Sequence, residues 1–128
     1  MALPTAPTHR YQEALSCYQQ VFAQVSNDLV KTEALHAIAR VQNKSTLFTD
    51  AIESYKAIAQ DYGDIRMGNG MPSGLVAQLE LGDLFRAIDD PGSAVETFIR
   101  LYRELIQGRW TLEKSQYEFF AQHIEESV

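Results

Sequence analysis

The chain has 128 residues, 45% of them hydrophobic, which is the length of one domain with enough apolar side chain to bury a core. Its formal charge of -6 and pI near 4.9 oppose attraction to phosphate backbones or anionic lipid, which depends on clustered Lys and Arg, so nucleic acid is excluded as an expected partner. No stretch approaches the ~20 apolar residues of a membrane-spanning helix, and the N-terminus lacks the charged and apolar regions of a signal peptide, so direct membrane insertion is not expected.

Residues 1–8, with Ala2, Pro4, Ala6 and Pro7, read as a poorly ordered tail, with Thr8 as the cap of the first helix. Residues 9–128 read as a single helical domain, because apolar side chains recur at three and four residues throughout. The first helix is predicted over 9–25, where Tyr11, Ala14, Leu15, Tyr18, Val21, Phe22 and Val25 make one stripe. Within it Cys17 cannot form an internal disulfide and is expected to pack as a small residue. The second helix, over 28–43, turns Leu35, Ile38, Ala39 and Val41 inward. The third, over 47–62, carries Phe48, Ala51, Ile52, Tyr55, Ile58 and Tyr62 on one side, with Gly63 as its C-terminal cap. A fourth runs over 73–88. Asp90 as N-cap and Pro91 at the first helical position then open a fifth helix that ends at Gly108. A sixth starts near Thr111 and aligns Tyr117, Phe120, Ala121 and Ile124.

Three of these helices share one pattern, an alanine, an aromatic ring four residues on, and a further apolar residue four beyond that: Ala14, Tyr18, Phe22; Ala51, Tyr55, Ala59; Ala94, Phe98, Tyr102. In the last unit the pattern follows Leu81-Gly82-x-x-Phe85. Together these residues resemble the tetratricopeptide signature. The resemblance implies an all-α fold of about six helices, stacked as tetratricopeptide-like antiparallel hairpins in a short right-handed solenoid that carries partners rather than chemistry. Close packing explains the small residues Ala14, Ala39, Ala51, Gly82 and Ala94, with Tyr18, Tyr55, Phe85 and Phe98 filling the gaps. The spacing departs from the family. Ala14 to Ala51 is 37 residues and Ala51 to Ala94 is 43, against about 34 in the family, so extra length lies between units, mostly in residues 63–72. The first helix has no preceding partner and the sixth no following one. The chain is therefore either a stretch of a longer protein or an array closed by atypical caps, and homo-oligomers through the end helices are one way to cover them.

The run Gly70-Met71-Pro72-Ser73-Gly74-Leu75-Val76-Ala77 resembles the helix entry of helical-repeat sensory segments upstream of bacterial histidine kinases. That resemblance implies a non-catalytic input domain, extracytoplasmic, in a membrane-bound signalling protein. A turn followed by a helix start also accounts for the run, and a stand-alone adaptor that binds a peptide or protein in its groove is the alternative; that version would be cytoplasmic.

No motif carries chemistry. His9, His36 and His123 lie far apart and form no zinc pattern, Gly68-Asn69-Gly70 lacks the Gly-Lys-Ser/Thr ending of a phosphate loop, and Asp89-Asp90 and Glu125-Glu126 come with no nucleophile. No enzyme, metal or cofactor is expected. In tetratricopeptide arrays the first helix of each repeat lines the groove, which here gives His36, Arg40 and Asn43, then Leu79, Asp83 and Arg86, then Glu118 and Gln122 as the partner-binding positions. These do not reproduce the family's carboxylate clamp, because Leu79, Asp83 and Glu118 intervene. A solvated helix face accounts for the polar ones equally well.

Overall fold

Six helices form among residues 7–127, the part of the chain that the computed structural model describes: α1 (Pro7–Gln24), α2 (Asp28–Lys44), α3 (Phe48–Asp61), α4 (Ser73–Ala87), α5 (Pro91–Ile106) and α6 (Lys114–Ser127). Each helix packs on the next, and α2 also touches α4, so the chain is an all-α array of consecutive helical hairpins. Among the described residues there is no strand, only an isolated antiparallel bridge between Arg66 and Pro72. Residues 1–6 of the expected tail lie outside the described part. Pro7 and Thr8 belong to α1, so Thr8 sits inside that helix and is not its cap.

Local chemistry sets most boundaries. Asn27 caps α2 by accepting a hydrogen bond from the Val30 amide at 3.0 Å, and Asp90 caps α5 by accepting one from the Ser93 amide at 3.2 Å, with Pro91 in the first turn. Three helices end in the same two-bond closure, in which the second and third residues past the helix donate back to carbonyls near its end. For α5 these bonds are Arg109 to Glu104 and Gly108 to Leu105, with Gly108 at φ 76°. Closing α2 requires Thr46 at φ 64°, and closing α4 requires Asp89 at φ 64°. A β-branched residue in this left-handed region is strained, whereas aspartate tolerates it. Thr46→Gly is therefore expected to stabilise the protein by about 0.5 to 1 kcal/mol after glycine's own entropy cost is subtracted. A urea midpoint that stays or falls would show that the turn holds no strain.

The core runs along α4, which buries residues on nearly every side because it lies among α2, α3 and α5. Tyr55 and Ile58 of α3, Leu75, Leu81, Leu84 and Phe85 of α4, and Phe98 and Leu101 of α5 form its centre. Gly82 is where α4 meets α5: a Cβ there would lie 2.5 Å from Cζ of Phe98. At Gly74 a Cβ would lie 2.9 Å from the backbone of Gly63, so these two glycines let the end of one hairpin cross the start of the next.

The structure corrects four expectations. Gly63 does not take positive φ; it is buried because Trp110 and Gly74 close on it, with the Gly63 carbonyl accepting from Trp110 Nε1 at 3.1 Å and from the Gly74 amide at 2.9 Å. Trp110 holds residues 109–113 out of a helix, which delays α6 from Thr111 to Lys114, where Gln116 caps it by accepting from the Glu113 amide. Cys17 is exposed, and so is Tyr18, because α1 packs on one side only, against α2. At its C-terminal end Phe22 takes Lys31 of α2 over its ring, with Nζ 4.4 Å from the centre, and meets Tyr62, just past α3, edge-on at 6.2 Å.

Residues 63–72 fold into a docked loop. Met67 and Met71 pair across a turn with Gly70 at φ 84°. Arg66 donates to the Thr111 carbonyl at 2.6 Å, the Gly68 amide donates to Glu33 at 3.0 Å, and Arg109 pairs with Asp64 at 2.9 Å.

Candidate functional site

Contact between α2 and α4 leaves a shallow groove of about 400 Å³ along their outer faces. Arg40, Asn43 and Lys44 come from α2, Glu80, Asp83, Leu84 and Ala87 from α4, and Tyr55 forms part of the lining from α3. One-turn spacing on each helix aligns these side chains. Arg40 holds Glu80 with two bonds, Nε to Oε1 at 3.4 Å and an Nη to Oε2 at 3.1 Å. Asp83 accepts from Arg86 at 3.2 Å and lies 3.4 Å from Nε2 of His123, which brings α6 to the end of the same strip. Both arginines keep about half of their side-chain surface in water, at 47% for Arg40 and 49% for Arg86. Burial, and after it the neighbouring Glu80 carboxylate, pushes the Tyr55 hydroxyl well above its usual range, so it stays a neutral phenol.

Of the positions expected to line a groove, Arg40, Asn43 and Asp83 do line this one, and Arg86 joins it through Asp83. Glu118 and Gln122 are exposed on α6 outside it, Gln122 bonding Glu126 along its own helix at 3.1 Å. Leu79 is in the core, and His36 lies beneath the surface with no exposure at all. Lys44, Tyr55 and Glu80 are lining residues that sequence reasoning missed. Tyr55 stands on the third helix, which the repeat register assigns to packing. Glu80 follows a core leucine directly and carries no signal until Arg40 is placed across from it.

His36 and Ser73 form the other polar contact of note, with Nε2 2.9 Å from Oγ and both residues fully buried. The atoms are those of a nucleophile and its base, but a substrate has no path to this Oγ. Burial lowers the His36 pKa from 6.5 to about 4, which keeps the imidazole neutral, and its Nδ1 has no partner. Among the described residues no group of three or more His, Cys, Asp or Glu is placed to hold a metal ion. Among them, too, no helix is long and apolar enough to cross a membrane. No protein-family model, curated protein or solved structure matches the chain.

Proposed function

We propose that this chain is a non-enzymatic interaction module that holds a peptide or protein segment along the groove between α2 and α4. One observation carries the reading: a buried core presents a strip of partly exposed charged pairs, Arg40 with Glu80 and Arg86 with Asp83, beside the neutral Tyr55. Pairs this exposed contribute little to the fold, so a partner's carboxylates and amines can exchange into them at small cost. Guanidinium groups add directionality, because each can grip a carboxylate with two parallel bonds. The input segment of a bacterial histidine-kinase-type protein, the role that the Gly70 to Ala77 resemblance implies, would present this groove to its signal; an adaptor needs the groove alone.

Selection of a displayed peptide library on the immobilised chain tests the proposal. Enriched peptides are expected to bind the wild type and to lose about ten-fold or more in affinity, ~1.4 kcal/mol, on an Arg40→Glu/Arg86→Glu variant. The melting temperature of that variant should barely move, since only exposed pairs are changed. Peptides that bind both proteins equally place recognition elsewhere.

A further inference from the structure

A second cleft, of about 460 Å³, opens on a different face of α4, between α3 and α5. That volume is within the range of small-molecule sites. Ala59 and Leu81 give it apolar wall, and Lys56 of α3 and Arg100 of α5 are among its lining residues. Arg109 lines it too, but is already satisfied by Asp64 at 2.9 Å and Glu104 at 3.0 Å. Lys56 and Arg100 are exposed and, like Lys44, Arg103 and Lys114, have no side-chain ion pair or hydrogen bond among the described residues, so both are free to meet a ligand. What sets this pair apart is that both line one cleft. Gln78 is the second, independent sign. It lines the cleft at 3% exposure and donates Nε2 to Glu104 at 2.7 Å, yet its Oε1 has no partner. Glu104 can only accept, so the amide cannot be turned round to cure this.

We propose that this cleft binds a small organic carboxylate that also carries an N–H or O–H donor. Lys56 and Arg100 take the carboxylate, Leu81 packs on the apolar body, and the Gln78 acceptor, covered in the empty cleft, takes the donor once the ligand parts the lining above it. A phosphate dianion fits less well, because Glu104 and Asp64 stand beside Arg109 and repel the added charge.

Trp110 reports on the site without a label, since Arg109 stacks 4.7 Å from the centre of its ring and it is the chain's one tryptophan. N-acetylleucine, which has a carboxylate, an N–H and an apolar body, is expected to change the Trp110 fluorescence of the full chain saturably. 4-Methylpentanoate, which lacks the donor, should bind about ten-fold more weakly, and inorganic phosphate should not compete. Lys56→Gln/Arg100→Gln should weaken N-acetylleucine binding by about ten-fold or more. Gln78→Met should abolish the difference between the two carboxylates; should either variant melt abnormally, nuclear magnetic resonance shifts of the wild type locate the bound probe instead. No saturable change up to about 10 mM, binding unaffected by the charge removal, displacement by phosphate, or shifts away from Gln78 would each overturn the site.

Discussion

Gly82→Leu is expected to lower stability by about 3 kcal/mol, even though leucine is much the better helix former. The position that a Cβ would occupy is already filled, with Phe98 ring atoms 2.5, 2.7 and 2.9 Å away. Phe98 has no exposed surface into which it could swing, and Leu101 beside it is equally enclosed. Relief therefore requires α5 to move off α4, and that separates the central part of the core. Helix propensity, at about 1 kcal/mol in favour of the variant, is the smaller term. For a chain of this length the net loss corresponds to a melting temperature about 10 °C lower. Ala51→Leu should behave likewise, since Ala51 is fully buried in α3. A Gly82→Leu protein that melts at or above the wild-type temperature would show that the two helices do not meet there.

His36 should make the protein lose about 3 kcal/mol of stability as the pH falls from 6.5 to 4. Above about 6.5 the imidazole is neutral whether the chain is folded or not, and it contributes no pH dependence. Between 6.5 and 4 the unfolded chain takes up a proton that the folded chain refuses, so each pH unit costs about 1.4 kcal/mol. Below about 4 both states are protonated and this contribution levels off. Exchange of His36 for glutamine, which can still bond Ser73, removes the titrating group. The wild-type minus variant difference in unfolding free energy should therefore slope across that window and be flat above it. Parallel curves at every pH would mean that His36 takes up its proton as readily in the fold as in the unfolded chain.

How far such features could be read from the residues depends on whether their cause is local. Asp90 and Pro91 announce the start of α5 because a cap and a first-turn proline act within four residues. Gly82 was legible for a similar reason: a mid-helix glycine in a leucine-rich helix costs stability unless a neighbour crowds it, and Phe98 does. Gly63 was misread because its cause is distant. A glycine after a helix suggests a cap, but the demand on Gly63 comes from Gly74 and from Trp110, which is 47 residues away. Stepping along the helices from their packing residues found Arg40, Asn43 and Asp83, yet also took in Leu79 and His36. The step identifies a face to within about one residue, and one residue separates Glu80 in the groove from Leu79 in the core. The burial of His36 depends on Ser73, 37 residues on, and nothing in the periodicity of α2 signals that partner.

The docked loop changes how this array should come apart. Stacked hairpins held only by their neighbours behave like links in a line, and lose order from the ends inward. Here Arg66 reaches Thr111 and Gly68 reaches Glu33, across 45 and 35 residues of sequence, so a single segment clasps the second helix and the approach to the last. Pulling α2 or the approach to α6 off the middle must first undo this clasp, and undoing it loosens the crossing of Gly63, Gly74 and Trp110 beneath, whereas α1 lies outside it. Unravelling past either of these points is thereby tied to the loss of the middle, so α2 to α5 are expected to melt as one knitted unit while keeping the open grooves of a linear array.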